Sequence, residues 1–239
     1  MRMADLNLAF EEFRTLQNEI IRCRRCPRLV DWREHVALEK TRRFCDEEYW
    51  GLPIPAFGDP GSRLVIVGLA PAAHGGNRTG RMFTGDRSGD WLFEALHRFG
   101  FANKSSSVNK GDGLELADCI IVAAVRCAPP GNKPAPEELR NCGKYLREEL
   151  RMLSQKRVIV ALGQIAFRAF LRTWEELGER LRQPKPPFSH AGEWQLTHGV
   201  TLLASYHPSQ QNTLTGRLTR KMFHRVFRRA RTILYSAAK

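Results

Sequence analysis

The chain alternates between two hydrophobic rhythms. Four short runs rich in Val, Ile and Leu, Arg63 to Leu69, Cys119 to Val125, Arg157 to Leu162 and Thr201 to Ser205, read as strands buried on both faces. Between them the apolar positions recur at helical spacing. Gly89 to Phe99 sets Leu92, Phe93, Leu96 and Phe99 on one face, and Ala135 to Leu153 does the same with Leu139, Leu146, Leu150 and Leu153. Gln164 to Trp174 continues from the third strand, Leu218 to Tyr235 is a basic amphipathic helix, and Leu8 to Arg22 is a helix ahead of the first cysteines. Strand alternating with helix predicts one α/β domain, a mostly parallel sheet covered on both faces, with ligand sites at the strand C-termini. The Pro-rich stretch Gln183 to Phe188 is a surface loop, not a domain linker.

Composition narrows the class. Of 239 residues, 42% are apolar and 26% charged, which excludes a disordered or collagen-like chain. The longest uncharged stretches, Leu64 to Ala73 and Cys119 to Val125, are far shorter than the roughly 18 residues of a membrane span. Asp5, Glu11 and Glu12 interrupt what would be a signal peptide's apolar core, so a cytoplasmic protein is expected. Lys and Arg number 38 against 25 Asp and Glu, a net charge of +13. That surplus suits a polyanionic partner, nucleic acid ahead of membrane, although a basic proteome would produce it too.

The six cysteines in such a context point to metal or catalysis rather than disulfides. Cys23 and Cys26 form Cys-x-x-Cys, and Cys127 and Cys142 follow about a hundred residues later. Together they could hold structural zinc or an iron-sulfur cluster, while spacing alone leaves the two pairs unrelated. Cys119 reads as a small buried hydrophobe and Cys45 as a bystander.

After the first strand comes GLAPAAHGGNRTGRMFTGDRSGDWLF, Gly68 to Phe93. It is neither a Gly-x-Gly-x-x-Gly turn nor a phosphate-binding loop with Gly-Lys-Ser/Thr, so nucleotide triphosphate chemistry drops out. It offers Phe83 to stack a base, Asp86 and Asp90 to activate water, and Arg78 and Arg81 to hold phosphate. A carboxylate here also serves as a helix N-cap; for Asp90 that reading stands level with catalysis, and for Asp86 catalysis is preferred. The fourth strand ends in SYHPSQQNTLTGRLT, placing His207 at the same sheet edge and, beyond it, a polar hairpin whose Leu214 would act as an apolar wedge in a DNA groove.

The motifs GLAPAAHGGNRTGRMFTGD, VRCAPPGNKP and SYHPSQQNTLTGRLT, with Cys23, Cys26, Cys127 and Cys142 in order, closely resemble the family 5 (type B) uracil-DNA glycosylases. The resemblance covers Cys23 to Arg217. It implies a three-layer α/β/α fold with a central four-stranded parallel sheet, one domain over 1–239 with an N-terminal extension over about 1–55, and a [4Fe-4S] cluster on the four cysteines. It also implies excision of uracil, and of other deaminated bases such as hypoxanthine and xanthine, from DNA by a monomeric enzyme. In that frame His207 takes the charge developing on the base, and Asp86, with Asn77 behind it, orients water. Leu69, Ala70, Phe83 and Ala123 line the base, and Arg78, Arg81, Gln211, Asn212, Leu214 and Arg217 face DNA. Ala70 stands where related uracil glycosylases carry Asp or Glu. Ala123 stands where the resembling enzymes usually carry an Asn that reads the uracil edge, so a narrower preference for uracil is expected. The competing class is an iron-sulfur protein that binds damaged DNA without cutting it; an electron carrier would leave Phe83 and His207 without purpose.

Overall fold

The computed structural model describes residues 3–235, with side chains over 8–235; residues 1–2 and 236–239 of the expected domain lie outside the described residues. The elements run α1 (Met3–Ile21), α2 (Pro27–Glu39), β1 (Phe57–Gly58), β2 (Leu64–Gly68), α3 (Gly76–Thr79), α4 (Arg87–Arg98), β3 (Cys119–Ala123) and α5 (Pro136–Met152). They continue with β4 (Val158–Leu162), α6 (Gln164–Glu176), β5 (Glu193–Gln195), β6 (Thr201–Ser205), α7 (Gln210–Leu214) and α8 (Arg220–Tyr235).

The sheet order is β1-β3-β2-β4-β6-β5. The inner strands β3, β2, β4 and β6 are parallel, with Leu64 beside Cys119 and Val158, and Val158 beside Thr201. These are the four expected strands, and every residue in them is buried. The sheet is larger than expected because short antiparallel strands extend both edges, β1 on β3 and β5 on β6. Two- and three-residue edges with exposed Gly58, Glu193 and Gln195 carry no apolar run for the sequence to reveal, and such short polar edges discourage pairing with another chain.

Alternation along each strand divides the core. Leu64, Ile66, Ile121, Val160 and Leu203 meet Leu92, Leu96, Phe223 and Phe227 of α4 and α8. Val65, Val67, Ile159 and Ala161 meet Leu146, Leu150, Phe167 and Phe170 of α5 and α6. This makes three layers, α/β/α. Leu16 and Ile20 of α1 pack with Tyr145 of α5, which joins the N-terminal segment to the second half of the chain. Helix α2 is an element beyond those predicted, although Pro27 at its first turn is a start signal. Its inward face reads Leu29, Val30, Arg33, Val36, and the arginine breaks the apolar pattern. None of the described helices is long and apolar enough to cross a membrane.

Candidate active site

The loops that leave β2 and β6 meet at the C-terminal edge of the parallel strands, where α/β sheets bind ligands. Strand β2 ends at Gly68, and a Cβ there would stand 3.1 Å from Cε2 and Cζ of Phe83, so glycine lets the ring settle on the strand end. Phe83 has left-handed backbone, φ 56°, an uncommon state for a bulky residue and one found at functional sites. Gly89 permits it, since a Cβ at 89 would come within 1.7 Å of the Phe83 carbonyl oxygen. Gly89→Ala is therefore expected to cost about 2–3 kcal/mol by overpacking and to lower Tm by roughly 5–10 °C in a thermal melt; an unchanged Tm would contradict this close approach.

The Phe83 ring is 5% exposed, and His207 stacks on it with centroids 6.0 Å apart and planes at 30°. Asn212 Nδ2 donates to the His207 carbonyl at 2.8 Å, and on the other side the Tyr206 N–H donates to His190 Nδ1 at 3.2 Å. Burial drives the His207 pKa down to about 4, so its imidazole is neutral at physiological pH and carries a single N–H.

Asp86 is the N-cap of α4, its Oδ1 accepting the Gly89 N–H at 2.9 Å. The cap thus belongs to Asp86, while Asp90 lies exposed in the first turn. A Cβ on Gly75 would lie 2.3 Å from Asp86 Oδ2, so the second oxygen faces the Gly68 loop. Burial raises the Asp86 carboxyl to about 6, against hydrogen bonds from the Gly89 and Ser88 N–H groups. Leu69 and Ala70 are half-buried. The Leu69 carbonyl accepts the Val125 N–H at 2.8 Å, while the N–H groups of Leu69 and Ala70 have no backbone acceptor among the described residues.

Other expected site residues turn out to be structural. Asn77 is fully buried and donates through Nδ2 to the Arg33 carbonyl at 3.1 Å, which ties α3 to α2 and removes it from any water. Arg78 is buried, ion-paired to Glu47 and set 4.0 Å over the Phe44 ring. Arg81 is buried too; its Nη2 meets Asp112 Oδ2 and Ser107 Oγ at 2.6 Å and the Asn109 carbonyl at 2.7 Å. Neither arginine reaches phosphate, because each is consumed by partners distant in sequence. Burial pushes the Asp112 carboxyl up, but hydrogen bonds from Arg81 and from the Leu114 and Val108 N–H groups outweigh it and hold the group at about 2. Ala123 is fully buried in the cluster that contains Met82 and Phe83, so its methyl does not line an open base edge. The expected hairpin after His207 is the short helix α7. Gln211 and Arg217 are exposed and Leu214 is 70% exposed, whereas Asn212 points inward to His207. Arg217 lies 4.7 Å above the Tyr206 ring.

Cys23, Cys26, Cys127 and Cys142 line one small cavity of about 20 Å³, together with Leu29, Arg126 and Tyr145. Hydrogen-bond donors surround the sulfurs: Arg33 Nη1 to Cys127 at 3.3 Å, the Arg126 N–H to Cys142 at 3.3 Å and Asn141 Nδ2 to Cys26 at 3.6 Å. Burial raises the Cys142 and Cys127 thiols, to about 12 and about 11. Among the described residues no three His, Cys, Asp or Glu side chains converge on one ion position. Four sulfurs spread around a cavity, a buried guanidinium and N–H donors fit an anionic polynuclear group better than a single ion, whose thiolates would sit about 2.3 Å from one centre. Arg33, absent from the expected residues, carries the clearest signal here: a charged residue on the inward stripe of a helix that starts beside Cys26. Cys45 is exposed and Cys119 is buried within β3, where burial pushes its thiol up.

The profile of the Uracil DNA glycosylase superfamily matches residues 55–231, a span that holds the whole sheet and both loops of the site. The chain is 52% identical over 211 residues to the "Type-5 uracil-DNA glycosylase" of Thermus thermophilus, covering 88% of this chain and 93% of that one. It is 53% identical over 219 residues to the protein of that name from Mycobacterium leprae, covering 91% and 94%. With the Pyrobaculum aerophilum "Type-5 uracil-DNA glycosylase" it shares 48% over 213 residues, 89% of each chain. The chain belongs to the type-5 uracil-DNA glycosylases.

Proposed function

We infer that this protein excises uracil from DNA by hydrolysing the N-glycosidic bond, leaving an abasic site for base-excision repair. The observation that carries the reading is the stack of His207 on Phe83 at the strand edge, 6.0 Å between ring centroids, with the half-buried carboxylate of Asp86 in the adjoining loop.

A uracil can reach this site only after leaving the helical stack, and stacking and hydrogen bonds in the pocket offset that cost. Phe83 supplies the aromatic surface. The N–H groups of Leu69 and Ala70, unsatisfied by backbone, supply donors for carbonyl oxygens of the base. As the glycosidic bond lengthens, its electron pair moves onto the base and the sugar becomes cationic. A neutral His207 donates its single N–H to the oxygen that gains charge, a contact that strengthens towards the transition state. Asp86, ionised at neutral pH with a pKa near 6, accepts a proton from the water that adds to the sugar carbon and opposes the sugar's positive charge. Leu214, 70% exposed on α7, is placed to fill the gap left in the duplex.

The substrate range extends, in this reading, to hypoxanthine and xanthine. The backbone N–H groups of Leu69 and Ala70, which have no backbone acceptor among the described residues, can pair with the carbonyl oxygens of these purines as with those of uracil. Duplexes carrying uracil or hypoxanthine at one position, treated with the protein and then with alkali, should both break at that position, uracil faster. An intact uracil strand would overturn the function, and an intact hypoxanthine strand only its breadth.

A [4Fe-4S] cluster on Cys23, Cys26, Cys127 and Cys142 belongs to the same reading. Arg33 is buried and its carboxylate partner, the partly exposed Glu34, stands 3.5 Å away, so its charge is compensated only on that side, and a thiolate-held cluster would supply negative charge on the Cys127 side. When bound, the cluster would link the segment joining α1 to α2, through Cys23 and Cys26, to Cys127 in the segment after β3 and to Cys142 on α5. Protein purified anaerobically should be brown and contain iron and acid-labile sulfide in equal amounts; stoichiometric zinc without sulfide would contradict the assignment.

A further inference from the structure

The segment between α4 and β3 has no part in the chemistry above, yet it is built against it. From the far end of α4 the chain returns to the site edge, where the Gly85 N–H, one residue before Asp86, donates to the Ser107 carbonyl at 2.9 Å. The Ser107 hydroxyl lies 2.6 Å from Thr84 Oγ1, and Arg81 clamps Ser107, Asn109 and Asp112 together. The Val108 N–H donates to Asp112 Oδ2 at 2.8 Å. A buried ion pair with these added hydrogen bonds is costly to desolvate and rigid once formed. What it holds rigid is a tip of exposed residues: Val108, 61% exposed, flanked by Asn109, by Lys104, whose Nζ donates to the Asp112 carbonyl, and by Lys110, whose Nζ lies 4.6 Å from the Trp50 ring centroid, each ammonium keeping further donors towards solvent.

We propose that the 103–113 loop is a second DNA-contacting lip, with Val108 as an apolar wedge against the duplex beside the flipped base and Lys104 and Lys110 facing the phosphates. The inference rests on the glycosylase reading and adds a surface to it. A single apolar side chain in the polar run Lys104 to Asp112, held one residue from the Asp86 segment, suits a gap between unstacked bases, since bases expose apolar faces only when separated. Two lysines and a net charge of +13 complement the backbone on either side. Arg81 thereby serves DNA recognition through the loop it anchors and not through phosphate.

The test is the ratio of single-turnover excision from a uracil duplex to that from the same strand alone, for wild type and Val108→Ser. Val108 is exposed, so the variant keeps the core intact. A single strand has no partner to prise open, so loss of a wedge penalises the duplex selectively. The ratio is expected to fall about fivefold to tenfold, the size of losing a small apolar contact. The rise in 2-aminopurine fluorescence beside the uracil on binding should be diminished with it. An unchanged ratio, whether both rates hold or fall together, would overturn the proposal. Wild-type protein that releases no uracil from either substrate would instead overturn the function on which it rests.

Discussion

Asp86→Asn is expected to excise uracil about 100-fold more slowly than wild type under single-turnover conditions, the usual contribution of one general base. The substitution isolates the carboxylate, because Asn caps a helix as well as Asp does and its amide oxygen can still accept the Gly89 N–H. The pH dependence supplies a second signature. Burial holds the Asp86 carboxyl at about 6, so below that value the group is protonated and cannot take a proton from water. Wild-type excision should therefore rise about tenfold per pH unit up to about pH 6 and level off above about pH 7, following the fraction of carboxylate. His207, with its pKa near 4, is neutral throughout that window and adds no second limb. In Asp86→Asn the slope should vanish. A variant with the wild-type rate and slope would leave Asp86 with the cap alone.

His207→Ala should lose about 100-fold to 1,000-fold in the same measurement, as removal of one donor to a developing anion does. The loss should appear in the rate at saturating protein and not in the affinity for uracil-containing duplex, since the contact gains strength only as the base becomes anionic. An equal weakening of DNA binding would recast His207 as a residue that holds the flipped base in the ground state.

The sequence carries those parts of the molecule whose cause is local. The four parallel strands are visible because burial on both faces makes each an unbroken apolar run, and the position of His207 at the sheet edge is legible because it closely follows one of them. Parts that depend on distant partners are not visible. Arg78 and Arg81 look like phosphate ligands in a glycine-rich loop until Glu47 and Asp112 are known to neutralise them. Asn77 looks catalytic until its amide is found on the Arg33 carbonyl. Asp86 is half legible: the carboxylate ahead of α4 announces a cap or a base, and the structure assigns the cap while burial leaves its second oxygen fit for the other task. The cysteines show the opposite imbalance. Their spacing gives no reason to join Cys23 and Cys26 with Cys127 and Cys142, and it is the packing of α1 on α5 and of α2 beside the segment after β3 that brings all four around one cavity.

A constellation of Phe83, Asp86 and His207 that breaks the glycosidic bond releases the base, whereas one that merely holds a damaged base does not. Equimolar protein and uracil duplex can be incubated at neutral pH and the small molecules separated by chromatography. Free uracil should appear in amounts equal to the abasic sites formed, with the phosphodiester backbone uncut until alkali is added. Tight binding of the duplex with no free uracil, the behaviour of a damage-binding protein, would contradict the account.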